Sequence, residues 1–158
     1  MRIVGIAGSL RSGSIRGIPL YDGDVEVAQG IPARAAELKD KVALADALLL
    51  VTPEYNNSIP GVLKNAIDWM TRPTTDIARV FRDRPVGLIG ASPGAYGTLL
   101  SQTAWLPILR TLGMRPWFGQ LLYVGSAGKV FDPTGRLLDD AIRARLRKYM
   151  AGFAEFVA

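Results

Sequence analysis

The chain has 158 residues, 49% of them hydrophobic and 21% charged, with a net charge of +5; this is the composition of one globular domain spanning 1–158, with enough apolar content for a real core. It contains neither cysteine nor histidine, which excludes thiol nucleophiles, disulfides, thiolate metal sites, the Ser–His–Asp mechanism and the commonest metal ligand. An enzyme built this way needs a cofactor to carry its chemistry.

Arg2-Ile3-Val4-Gly5-Ile6-Ala7 is a short apolar, β-branched run and predicts a first strand near 2–7. A strand at this position is not a signal peptide, and no apolar run approaches the roughly 18 residues of a membrane span, so the cytoplasm is the expected location. Gly8-Ser9-Leu10-Arg11-Ser12-Gly13-Ser14 follows at once. Its small residues, three hydroxyls and one guanidinium can wrap a phosphate, although it is neither the GxxxxGK[ST] loop nor GxGxxG. Residues 15–24, rich in Pro and Gly, read as containing no helix, whereas a parallel crossover needs roughly a dozen residues or more, usually a helix. From about Pro32 to Lys41 the pattern turns helical, with Ala33, Ala36, Leu38 and Val42 as apolar positions, and leads into a strand at 46–52.

That strand contains Ala47-Leu48-Leu49-Leu50-Val51, the most strand-like run in the chain, and Thr52-Pro53-Glu54-Tyr55-Asn56-Asn57-Ser58-Ile59-Pro60-Gly61 follows it. A buried strand, a polar turn and a proline-opened helix describe the carboxyl edge of a parallel α/β sheet, where such folds bind ligands; a well-capped crossover loop has the same letters. Pro60 suits the first turn of a helix over 60–70, and Asn57 and Ser58 can cap it. Val62, Leu63, Ala66, Ile67 and Met70 form that helix's apolar side; Lys64, Asn65 and Asp68 face elsewhere. Residues 72–76 read as a loop. Pro85-Val86-Gly87-Leu88-Ile89-Gly90-Ala91 is a second buried strand and runs into Ser92-Pro93-Gly94-Ala95-Tyr96-Gly97. A helix over 98–112, closed by Gly113, comes next, then a strand near 116–122, a turn over 129–136 and an amphipathic helix over 137–156 with Leu138, Ile142, Leu146, Tyr149 and Phe153 inward. Much of the positive charge falls in 136–148, which suits a solvated helix face or a phosphorylated ligand. Trp69, Trp105 and Trp117 are expected in the core or at a subunit interface.

Three polar turns, 8–14, 52–60 and 91–97, therefore follow three apolar strands, and a parallel sheet gathers them at one end. A planar heterocycle with a phosphate tail fits that set. These three turns, with the long run from Pro53 through Trp69, resemble the NADPH-dependent FMN reductase family, the flavodoxin-like group of chromate and quinone reductases, over nearly the whole chain. The resemblance implies a flavodoxin-like three-layer α/β/α fold, non-covalent FMN, and two-electron transfer from NADPH or NADH to quinones, azo dyes, metal oxyanions or free flavin. By the resemblance, Ser9, Arg11 and Ser14 hold the phosphate. Pro53, Glu54, Tyr55 and Asn56 line the flavin, and Ser92, Gly94 and Gly97 border the ring edge. No catalytic side chain and no metal are implied, because the flavin exchanges electrons with nicotinamide directly. The resemblance also implies a homodimer or homotetramer through the helix carrying Lys64 and Asp68, an i, i+4 pair that ordinarily decorates a solvated helix face. No nucleic-acid partner is expected.

One departure matters. Between the phosphate loop and a segment like Pro19-Leu20-Tyr21-Asp22-Gly23-Asp24, the family places a helix and a second strand. Only Ile15-Arg16-Gly17-Ile18 stands there in this chain, a shortfall of roughly two dozen residues. Either the element is truly deleted or it belongs to a stretch that the sequence does not include, in which case a break is expected at Ser14–Ile15. A deletion would leave the first strand as an open edge and would favour a non-catalytic flavodoxin-like binding protein with an impaired phosphate site. A flavodoxin-type electron carrier is a third reading, disfavoured by the basic charge.

Overall fold

The computed structural model describes residues 1–9 and 15–158. Its strands are β1 (Ile3–Ala7), β2 (Ala47–Val51), β3 (Pro85–Ala91), β4 (Arg115–Pro116) and β5 (Leu122–Val124). All pairings between them are parallel, in the order β1-β2-β3, with β4 and β5 both on the far side of β3. Among the described residues β1 pairs only with β2, so it is the sheet edge, as the shortened sequence implies. The helices are α1 (Gly23–Gln29), α2 (Ala33–Ala43), α3 (Gly61–Met70), α4 (Ile77–Phe81), α5 (Leu99–Thr111), α6 (Ala127–Val130) and α7 (Asp140–Val157).

The two faces of the sheet follow from the alternation of side chains along a strand. Ile6, Leu48, Leu50, Val86 and Leu88 point one way and are buried by Leu38 and Val42 of α2, Leu63 and Met70 of α3, Phe81 of α4, and Trp105 and Leu109 of α5. Ala47, Leu49, Leu122 and Val124 point the other way and meet Tyr149 and Phe153 of α7. β2 is covered on both faces, which is why its sequence is an unbroken apolar run. The result is the expected three-layer α/β/α arrangement.

Several sequence expectations need correction. Residues 15–24 are not helix-free, because α1 starts at Gly23. Asp22 caps it by accepting from the N–H groups of Asp24 and Val25. No α1 residue is buried, so the helix has no apolar stripe to betray it; side chains on α3 and just beyond hold it instead. Asn65 and Trp69 donate to the Pro19 carbonyl, Asn65 also accepts from Tyr21 N–H, and the Tyr21 and Trp69 rings meet edge-on with centroids 5.0 Å apart. Arg72 and Tyr21 both donate to the Glu26 carboxylate and hold its pKa below the ordinary range.

The expected caps of α3 also differ. Pro60 occupies the N-cap and no side chain bonds there. Asn56 and Asn57, with φ of 49° and 62°, instead form a tight turn closed by paired hydrogen bonds between Tyr55 and Ser58. Such left-handed residues are most often Gly or Asn. The 72–76 loop contains a short 3-10 turn (Thr74–Asp76) that leads into the unanticipated α4.

The strand expected over 116–122 is split into β4 and β5. Between the pairs Val86↔Pro116 and Ile89↔Leu122, β3 advances three residues while its neighbour advances six. The excess lies in residues 118–121, while Trp117, whose N–H still donates to Val86 O, packs on Tyr149 and Phe153 of α7. Residues 137–139 precede the last helix: Leu137 forms a bridge with Phe131, and the Asp139 side chain caps α7 through Ile142 N–H. Trp69 and Trp105 are fully buried. No helix among the described residues is long and apolar enough to cross a membrane.

Candidate active site

The carboxyl ends of the strands are stitched together before their loops depart. Gly8 N–H donates to Val51 O at 2.9 Å, Thr52 N–H to Ile89 O at 2.8 Å, and Ser92 N–H to Val124 O at 2.9 Å. Each bond extends the parallel ladder by one residue, so the three polar turns leave from a common rigid rim.

Above this rim lies an open cleft of about 670 Å³, lined by Ser9, Pro53, Tyr55, Pro93, Ala127, Gly128 and Phe131. That volume is in the usual range for a small-molecule site, roughly 300–1,000 Å³. Ser9 follows β1, Pro53 and Tyr55 follow β2, and Pro93 follows β3. The cleft's fourth wall, Ala127, Gly128 and Phe131, was not among the sequence expectations. It follows β5 and repeats the same pattern of an apolar strand ending in a small-residue turn, Gly125-Ser126. Ser126 turns the chain in the left-handed region, with φ of 50°.

The other expected site residues have distinct placements. Ser92 is buried, and its hydroxyl accepts from Gly94 N–H. Gly94 accepts from Gly97 and Ser126 through its carbonyl, tying the third turn to the fourth wall. Gly97 has a φ of 62°, and a Cβ there would lie 2.9 Å from the Tyr123 and Val124 carbonyl carbons. It is glycine because the turn packs directly on the β5 backbone. Asn56 sits exposed at the tip of the tight turn. The Glu54 side chain points to α5, where it accepts from the N–H groups of Leu100 and Ser101. Arg11 and Ser14, and with Ser14 the junction where a break was expected, lie outside the described residues.

A buried polar group supports the rim. Thr52 and Ser101 are fully buried with their hydroxyl oxygens 2.8 Å apart, and Trp105 donates its indole N–H to Thr52 at 3.1 Å. Gln102 donates to Thr98 Oγ1 and to Leu122 O. These bonds fix the base of the second and third turns against α5.

The cleft suits the ring of FMN. Among the described residues its lining carries no charged side chain; it offers flat or rigid faces from Pro53, Pro93, Tyr55 and Phe131, and leaves room at Gly128, where a Cβ would meet nothing within 4 Å. Ser9, at the start of the first turn, lines the cleft at the end of β1.

Comparison with known proteins agrees with this geometry. The family model described as NADPH-dependent FMN reductase matches residues 14–129. The chain belongs to the NADPH-dependent FMN reductase family. It is 38% identical to an NAD(P)H-dependent FMN reductase of Pseudomonas aeruginosa, over 95% of this chain and 91% of that protein. It is 32% identical to a quinone reductase of Escherichia coli, over 99% and 95% of the two chains. In structure it is similar to the flavoenzyme NAD(P)H:(acceptor) oxidoreductase FerB from Paracoccus denitrificans, with a TM-score of 0.83 at 28% identity, covering 99% of this chain and 97% of that one. Membership makes the chain an FMN-dependent NAD(P)H oxidoreductase with the flavodoxin-like fold, and FMN its cofactor. The Pseudomonas alignment spans 173 positions, whereas 95% of 158 residues is about 150, so about two dozen positions of that reductase face no residue here. This shortfall has the size that the sequence pattern indicates.

Proposed function

We propose that the whole chain, 1–158, acts as one FMN-binding domain that takes electrons from NADPH or NADH and passes them to a small-molecule acceptor of the quinone class, in the cytoplasm. The observation that carries the reading is the cleft whose walls come from four adjacent strand ends and whose described lining is uncharged. The quinone class is favoured by the name of the Escherichia coli relative. FMN bound there supplies two-electron exchange with the nicotinamide. The chain's own residues bind and orient. Pro53 and Pro93 give stiff walls, and Tyr55, partly exposed, gives a ring surface on one side. Ser9, Arg11 and Ser14 hold the phosphate, and Ser92, Gly94 and Gly97 set the height of the third wall. Glu54 and Asn56 contribute through the shape of the turn that carries Tyr55. No side chain need hold a transferred proton.

Purified protein should be yellow, release FMN on denaturation, and bleach when NADPH is added without oxygen. Colourless protein that does not bind added FMN would transfer the reading to the non-catalytic binding protein. Arg11→Ala should weaken FMN binding about ten- to a hundredfold, from the roughly 1.5–3 kcal/mol of a charge-assisted contact, with near-normal reduction at saturating FMN. Tyr55→Ala should instead slow turnover even at saturation, because it alters the ring's surroundings.

The assembly we propose is a two-fold dimer, or a tetramer built from it, through α3. Lys64 and Asp68 pair along the helix at 2.7 Å and stay partly exposed, so their hydrogen-bonding capacity can be shared with a mate across an axis. Beside them runs a groove of about 390 Å³ that includes Ile67, Ile77, Pro107, Ile108 and Leu112, an apolar surface suited to burial. Light scattering at micromolar concentration should give twice or four times the chain mass; a monomer would count against it.

A further inference from the structure

This inference rests on the FMN site just described. The first turn of α5 needs acceptors for its free N–H groups, and the N-cap residue Thr98 supplies none from its side chain. The acceptor comes from another loop: Glu54 Oε2 takes Leu100 N–H at 2.9 Å and Ser101 N–H at 3.0 Å, across 46 and 47 residues of sequence. Its charge faces the positive end of the helix dipole. One layer below, Thr52 and Ser101 join the same two elements again through their buried hydroxyls. On the far side of Glu54 the turn is locked by the Tyr55–Ser58 pair. The 53–58 turn is thus held at both ends, and the end nearer the sheet is held by one carboxylate.

We propose that Glu54 is a positioning residue: its carboxylate fastens the turn bearing Pro53 and Tyr55 to the N-terminus of α5, so that the second and third walls of the cleft form one frame. It does this from outside the cleft. The Glu54 side chain is not among the cleft's lining groups. A carboxylate directed at the ring would oppose any negative charge there; one spent on two amides does not.

Three variants test the proposal: Glu54→Ala, Glu54→Gln, and Asp139→Ala, which removes a side-chain cap from α7, a helix with no residue in the cleft lining. Hydrogen exchange on the FMN-free protein reads the frame directly. Glu54→Ala should speed exchange at Leu100 and Ser101 and also at Tyr55 and Ser58. Glu54→Gln, which keeps an acceptor oxygen, should restore most of the protection. FMN titration by fluorescence should show about a tenfold loss of affinity in Glu54→Ala and most of it regained in Glu54→Gln. Asp139→Ala should lower thermal stability and leave FMN affinity unchanged. Unchanged exchange at Tyr55 and Ser58 in Glu54→Ala would overturn the proposal, as would equal FMN affinities in Glu54→Ala and Asp139→Ala. Wild-type protein that fails to bind FMN would overturn the FMN site itself, and the exchange pattern would still decide whether Glu54 holds the frame.

Discussion

Trp105→Ala is expected to cost about 3–5 kcal/mol, the usual range for truncating a fully buried tryptophan, and to loosen FMN binding with it. The indole is completely inaccessible within the larger of the two cores, and it donates to Thr52 at the point where β2 gives way to the site turn. Against a total stability of roughly 5–15 kcal/mol this is a large fraction. For a chain of this size it corresponds to a fall in Tm of about 6–20 °C. Trp105→Phe separates the two contributions. It keeps most of the apolar volume and removes the N–H, while Thr52 still has its contact with Ser101, so the cost should drop to about 1–2 kcal/mol. Thermal unfolding with and without FMN measures both. A Trp105→Ala protein as stable as wild type would show that the core between α5 and the sheet is not packed as described.

The parts of the fold that could be read from sequence are those whose residues answer to one dominant force. β2 and β3 are buried on both faces and read as continuous apolar runs; α3 and α5 carry apolar stripes against one core. Three of the four cleft walls were legible for the same reason, since each is a polar turn after such a run. What escaped depends on partners distant in sequence. α1 buries nothing and is held through its Asp22 cap and the Glu26–Arg72 contact, and a pairing across 46 residues leaves no local pattern. The split of the fourth strand falls between Trp117, still bonded to Val86 O, and Leu122, and the letters there carry no sign of it. The resemblance places Glu54 among the residues lining the flavin, and nothing near it in sequence indicates that its carboxylate faces a helix in the next crossover. The alternation of strand and helix carried the topology, while side chains that cross between loops had to be seen in place.

Gly90→Ala is expected to damage both fold and site. A Cβ at Gly90 would overlap the Thr52 carbonyl oxygen and lie 2.8 Å from Thr98 Oγ1 and 2.9 Å from Thr98 Cγ2. Rotating Thr98 could relieve the last two contacts. The first is with backbone, so relief requires the ends of β2 and β3 to part. That movement stretches the Thr52 N–H to Ile89 O bond of 2.8 Å, one of the three that stitch the rim. Overpacking usually costs about 1–3 kcal/mol, and a main-chain clash belongs at the top of that range or above it. The displaced segment carries Pro53 and Tyr55, so FMN affinity should fall by at least about tenfold, which is 1.4 kcal/mol. Gly5→Ala is the control: it also adds one methyl to a strand, but a Cβ there meets nothing within 4 Å, and its Tm should stay close to wild type. Thermal melts and FMN titrations of the two variants give the comparison. Equal behaviour of Gly90→Ala and Gly5→Ala would mean that the strand ends can separate without consequence, and the stitched rim would lose its role as the base of the site.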